Sequence, residues 1–140
     1  SRSIIDKTFY TYMHESNIGY KVWNWFNVDH NQPVFIFEGI FDAIAGGLPN
    51  SVALMGAKLP SERLDDLKYP VFVLDNDRTG LMNSLQYARN GCKVYIQPQN
   101  FKEKDMNDLY MNHKDIDIPL MIQDNLSSGI KAEVLIKSKL

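Results

Sequence analysis

Val71-Phe72-Val73-Leu74-Asp75-Asn76-Asp77-Arg78-Thr79-Gly80 is an apolar run that passes straight into two aspartates and a glycine turn. An apolar run rich in β-branched and aromatic residues, bounded by a turn, predicts a short buried strand. At its carboxyl end, Asp75 and Asp77 stand two positions apart. On an extended strand end this spacing puts both carboxylates on one side, a few ångströms apart. Two anions held that close repel unless a cation sits between them. A hard divalent ion such as Mg²⁺ takes oxygen ligands and keeps several waters. One or two carboxylates plus substrate phosphates are then enough. The alternative is a loop whose aspartates cap the following helix and face water.

Upstream, Val34-Phe35-Ile36-Phe37 reads as another buried strand, with Glu38 and Gly39 at its carboxyl end. Ile40, Phe41, Ala43, Ile44 and Ala45 follow at helical spacing, and Gly46-Gly47 stops that helix. Ser51 to Met55 is a strand closed by Gly56, and Pro60 to Leu67 a short helix with Leu64 and Leu67 inward. Lys58 lies in the loop between them, on the side where the strands end. Earlier still, Tyr20 to Val28 partly alternates, which suggests a strand packing through Val22, Trp23 and Trp25.

Downstream, Thr79 to Asn90 reads as a helix with Leu81, Leu85, Ala88 and Met82 as inner-face candidates. Cys92 to Ile96 is a further strand, ended by Pro98. Asp105, Asn107 and Asp108 then precede an apolar helix start, and capping accounts for one of the three. Asp117 to Leu126 is a last helical stretch, broken by Ser127-Ser128-Gly129; Ala132 to Ile136 reads as a closing strand or an extended tail.

Strand and helix alternate through most of the chain, with short turns. This predicts an α/β fold, a mostly parallel sheet of about four to five strands with helices on both faces. Right-handed crossovers would bring Glu38, Asp75, Asp77 and the Asp105 loop to one carboxyl edge, where open α/β sheets bind ligands.

The 140 residues suffice for one domain with a proper core. Hydrophobic residues make up 44% and charged residues 23%, a globular balance. The net charge of −2 advertises no whole-chain affinity for nucleic acid. A lone Cys92 excludes an internal disulfide and a cysteine-based zinc site, and its place in an apolar run suits a small buried hydrophobe. His14, His30 and His113 show no metal-ligand spacing. With no run near the ~20 apolar residues of a membrane span and no signal-peptide pattern, a soluble cytoplasmic protein is expected. Three acidic clusters just after three strands suit Mg²⁺-dependent phosphoryl transfer. No P-loop, dinucleotide-binding glycine pattern or nucleophilic triad competes with that reading.

Phe37-Glu38-Gly39-Ile40-Phe41-Asp42-Ala43 resembles the first motif of Toprim domains, and Val52 to Leu59 the strand and glycine turn that follow it. Leu74 to Gly80 is similar to the family's D-x-D motif in its primase form. Lys104-Asp105-Met106-Asn107-Asp108 is similar to the later acidic element of primases. The resemblance covers residues 33–110 and is nearest to the catalytic core of DnaG-type bacterial and bacteriophage DNA primases. It implies Mg²⁺ (or Mn²⁺) held by Glu38, Asp75 and Asp77, with Asp105 supporting a second metal. Glu38 would complete the metal site or act as general base on the attacking 3′-hydroxyl. Asp42 would be a structural helix residue anchoring the motif. Asn107 stands where bacterial primases often carry another aspartate. Lys58, Arg78, Lys104 and Asn107 would meet nucleotide or template phosphates.

The implied activity is synthesis of short RNA primers from NTPs on single-stranded DNA, in the cytoplasm, for a phage protein the host's. A replicative helicase is the further partner implied, and no membrane. The same residues also suit a metal-dependent Toprim nuclease or a non-catalytic nucleic-acid-binding module. No zinc-binding pattern precedes the motifs, which suggests a catalytic core fragment or a reduced protein relying on partners. The expected division is an aromatic-rich extension over 1–32, a Toprim core over 33–113, and a C-terminal helix and tail over 114–140. The aromatics of the extension, with Lys7 and Lys21, suit a lid on the core or a base-stacking platform.

Overall fold

The structure, a computed structural model, describes residues 22–56 and 58–140. Strands β1 (Pro33–Phe37), β2 (Ser51–Ala53), β3 (Tyr69–Val73), β4 (Lys93–Tyr95) and β5 (Leu126–Ser127) form one sheet in the order β2-β1-β3-β4-β5. The first four run parallel, and β5 pairs antiparallel with β4. The helices are α1 (Ile40–Gly46), α2 (Ser61–Asp65), α3 (Arg78–Arg89), α4 (Met106–Asn112), α5 (Ile118–Asp124) and α6 (Gly129–Lys137). This is the α/β architecture expected from the strand–helix alternation. Among the described residues, no helix is long and apolar enough to cross a membrane.

Strand alternation sends side chains to two cores. On one face, Val34, Ile36, Phe72, Leu74 and Val94 meet Leu81, Leu85 and Ala88 of α3 and Ala132 and Ile136 of α6. On the other, Phe37, Val71, Val73 and Tyr95 meet Ala43 of α1, Met106 and Leu109 of α4, and Ile118 and Ile122 of α5. A sheet covered on both faces needs strands that are apolar throughout, which is why β1 and β3 read as unbroken hydrophobic runs. The approach of α1 to β1 depends on Gly46. A methyl group there would stand 2.6 Å from the Phe37 ring, which is fully buried and cannot swing away.

Four local expectations are corrected. Residues 132–136 are neither strand nor tail but the middle of α6. Ala132 and Ile136, four apart, share its inner face while Val134 and Leu135 point outward, a helical period inside a run that looks extended. Glu133 then takes a two-pronged contact from Arg89 of α3, at 2.8 and 3.0 Å. The last predicted helix stops at Asp124, and Leu126 pairs with Tyr95 in β5. The expected strand over Tyr20 to Val28 is reduced, in its described part, to a bridge between Trp23 and Ala53 followed by a 3₁₀ turn at Trp25–Asn27. Val22 and Trp25 are buried in the first core, and Trp23 packs on the second. Trp25 therefore belongs to the core rather than to a stacking platform. The other aromatics of the extension, and Lys7 and Lys21, lie outside the described residues. Met82 is exposed, not inward. Cys92 packs half-buried against the first core, and burial pushes its thiol above the ordinary range, as suits an inert hydrophobe.

Candidate active site

Glu38 leaves β1 held by its backbone. Leu54 N–H donates to Phe37 O and Met55 N–H to Glu38 O, each at 2.8 Å, so pairing with the neighbouring segment continues past the end of β2. Its side chain borders a cavity of about 510 Å³ with Lys58, Leu74, Thr79, Asn83 and Tyr87 among its lining residues.

Pairing of β3 stops at Val73, two residues before Asp75. Asp77 is the N-cap of α3, and its Oδ1 accepts the Gly80 N–H at 2.8 Å. Its Oδ2 lies 3.8 Å from Lys104 Nζ. Asp75 has a different partner: its carboxyl lies within hydrogen-bonding reach of the Glu38 carboxyl, a bond that forms when one of the two holds a proton. The two aspartates thus divide between them the tasks that the sequence left as alternatives, one capping and one facing acid. Gly80 makes the turn possible, because a methyl group there would collide with the Asp75 carbonyl oxygen and sit 2.8 Å from its carbon.

Asn76, between the aspartates, ties this loop to the next one. Its N–H donates to Lys104 O at 2.6 Å and its Nδ2 to Glu103 O at 3.2 Å. Buried Gln97 donates to Phe101 O and Glu103 O and shapes the same loop from below. This lacing brings Asp105 to the acidic edge. There it caps α4, its Oδ1 accepting the Asp108 N–H at 2.8 Å. Asp42, on the first turn of α1, accepts the Asn107 N–H at 2.9 Å and so joins α1 to α4. Asn107 itself borders an apolar hollow beside Phe41 and Tyr110 rather than the cavity next to Glu38.

Glu38, Asp42, Asp75 and Asp105 consequently feel one another. Asp75 is pushed up to about 8, first by burial, then by its bond to Glu38 and the charges of Glu38, Asp105 and Asp77. Asp42 is pushed up to about 7 by burial, partly offset by the Asn107 N–H, with Asp105 and Asp75 adding repulsion. Both carboxyls hold protons more tightly folded than unfolded. Their contribution to stability is therefore full below about pH 4 and is lost as pH rises through about 7 to 8. Chelator-treated protein is expected to melt lower at about pH 9 than at about pH 6, and added Mg²⁺ to recover much of the difference. Melting curves at the two pH values check this. Asn76→Ala, which loses the Glu103 tie, is expected to lower stability by about 1 kcal/mol and to weaken Mg²⁺ binding as Asp105 is freed. Denaturant titration and calorimetry read the two effects.

Among the described residues, no three or more His, Cys, Asp or Glu side chains are arranged to hold a metal ion. The donor chemistry still fits Mg²⁺. Glu38 and Asp75 are hard oxygen donors in contact, and an ion that keeps its waters needs only such a pair plus substrate phosphates. Lys58 and Arg78 are exposed. Lys58 borders the Glu38 cavity, and Arg78 lies beside Asp77 in a second hollow.

No protein-family model matches this chain, and no curated protein matches it. Asn76 and Gln97 were not among the expected site residues. A polar residue caught between two acids in a tight turn is a readable signal for Asn76, whereas nothing around Gln97 sets it apart from a surface glutamine. Thr79 and Asn83 of the cavity wall read as ordinary outer-face helix residues.

Proposed function

We propose that this chain is a Toprim-type catalytic domain of the DNA-primase kind, a metal-dependent nucleotidyltransferase that joins ribonucleotides on a single-stranded DNA template. The observation that carries this reading is the contact between Glu38 and Asp75 at the carboxyl edge of a parallel sheet, crowded by Asp42 and Asp105. Anions assembled at that cost suit a site completed by a cation. Bound Mg²⁺ or Mn²⁺ would neutralise charge on the reacting phosphate and lower the pKa of the attacking hydroxyl.

Glu38 and Asp75 are the residues to hold it, and Glu38 the group to accept the hydroxyl proton. Asp77 and Asp105 each keep one carboxylate oxygen outside their helix caps and add negative charge at the rim. Lys58, Arg78 and Lys104 supply positive charge around the same edge for phosphates. The ordered motifs from Glu38 through Asp105 support the primase form over other members of the family.

The test incubates end-labelled single-stranded DNA with labelled NTPs and Mg²⁺. New labelled RNA, or extension of an annealed ribonucleotide primer, supports the proposal. Shortening of the strand would replace it with a nuclease in which water takes the hydroxyl's place. No reaction with any template or primer would overturn catalysis by this chain.

A further inference from the structure

Beside Asp77 lies a second hollow, of about 390 Å³, lined by Asp77, Arg78, Phe101, Lys102 and Lys139 among others and separate from the cavity that Glu38 borders. It sits where the first turn of α3, the loop before α4 and the end of α6 come together. Neither Arg78 nor Lys102 is ion-paired among the described residues. Lys139 donates to the Gln97 carbonyl at 2.9 Å, which anchors it without neutralising it. Burial lowers its tendency to hold a proton, and the nearby charge of Lys102 lowers it further. The acidic side chain in the lining, Asp77, gives one oxygen to the Gly80 N–H and has the other 3.8 Å from Lys104, and it makes no ion pair with Arg78, Lys102 or Lys139. Three cationic side chains around one hollow, none paired with a side-chain carboxylate among the described residues, call for an anion. Arg78 brings a planar fork and the lysines point charges, the combination that grips phosphate.

We infer that this hollow holds a backbone phosphate of a single-stranded nucleic acid, and that Arg78, Lys102 and Lys139 position the strand against the acidic edge. The inference rests on the proposed function for the strand's role. Its binding chemistry is independent of metal. Asp77, which lines the hollow, follows Asp75 by two residues, and Asp75 meets Glu38, so a strand seated in the hollow would run on along the acidic edge. A free nucleotide would offer the same phosphate chemistry but has no continuing backbone to carry it there.

Fluorescence anisotropy with a labelled single-stranded oligonucleotide, in chelator and over a range of salt, tests this. Arg78→Ala/Lys102→Ala is expected to bind roughly tenfold more weakly and to lose about 0.7 from the salt slope for each contact removed. Both residues are exposed, so melting temperature is expected to stay unchanged and to certify the fold. Lys114→Ala, where the lysine lies over Tyr110 on the opposite face of the sheet, is expected to bind like wild type. Unchanged affinity and slope in the double variant would overturn the inference, as would an equal loss in Lys114→Ala. Binding of inorganic triphosphate that depends on Arg78 and Lys102, without strand binding, would assign the hollow to free nucleotide and overturn the strand reading. Strand binding that depends on the hollow in a protein that neither extends nor shortens DNA would overturn the proposed function and leave this inference standing.

Discussion

Gly80→Ala is expected to destabilise the protein by about 3 kcal/mol or more, at the upper end of what overpacking costs. The added methyl group would meet the backbone of Asp75, with the carbonyl carbon at 2.8 Å and the nitrogen at 3.0 Å. Backbone cannot rotate aside as a side-chain tip can. Either α3 lifts from the sheet, pulling Leu81 and Leu85 out of the first core, or the Asp75 loop opens. For a chain of this size the loss corresponds to a fall in melting temperature of roughly 10 °C. The second route also moves Asp75 away from Glu38, so Mg²⁺ affinity is expected to fall in whatever fraction stays folded. Gly39→Ala is the comparison. Its methyl group would meet the Asp42 carboxylate tip at 3.2 Å, a contact that can yield, so its cost is expected to stay near 1 kcal/mol. Denaturant titration of both variants gives the numbers. A Gly80→Ala protein as stable as wild type would show that the turn over Asp75 is looser than described.

Asp75→Asn is expected to move stability and activity in opposite directions. Asparagine keeps the shape and can still donate to Glu38, but it removes one of several crowded negative charges. In chelator at about pH 9, where Asp75 would otherwise be ionised and repelled, the variant is expected to melt higher than wild type, with a flatter pH dependence. Mg²⁺ binding is expected to disappear by calorimetry, and nucleotidyl transfer to fall by about a thousandfold, the scale of losing a group that stabilises developing charge. Sites that hold like charges together give up stability for function, and this pairing of gain and loss is their signature. A purely structural Asp75 would give the reverse: lower stability and little change in metal binding.

The alternation of apolar strands and amphipathic helices, with glycines and acidic caps between them, made most of the fold readable. β1, β3, α1 and α3 follow their local patterns closely. The failures share a cause. Residues 132–136 form an apolar run without polar gaps, so local pattern could not separate helix from strand. The packing of Ala132 and Ile136 in the core beside α3 decided for helix. Leu126 looked like the end of a helix because nothing local announces that β4 lacks a partner on its outer edge.

In the acidic edge, residue types at strand ends were legible, whereas pairings were not. By itself the sequence determined an α/β order with Glu38, Asp75 and Asp105 each placed just after a strand, because side-chain period and turn chemistry are local properties. Only the tertiary structure decided that Asp75 faces Glu38, that Asp77 turns one oxygen to the α3 cap, and that Asp42 accepts the Asn107 N–H from 65 residues away. These contacts follow from the sheet order β2-β1-β3-β4-β5, which sets β1 beside β3, and from the Asn76 and Gln97 hydrogen bonds that fold the Asp105 loop onto that edge. Burial there raises the cost of every uncompensated charge, so the separation of carboxyl affinities is a property of the assembled edge and of no single segment.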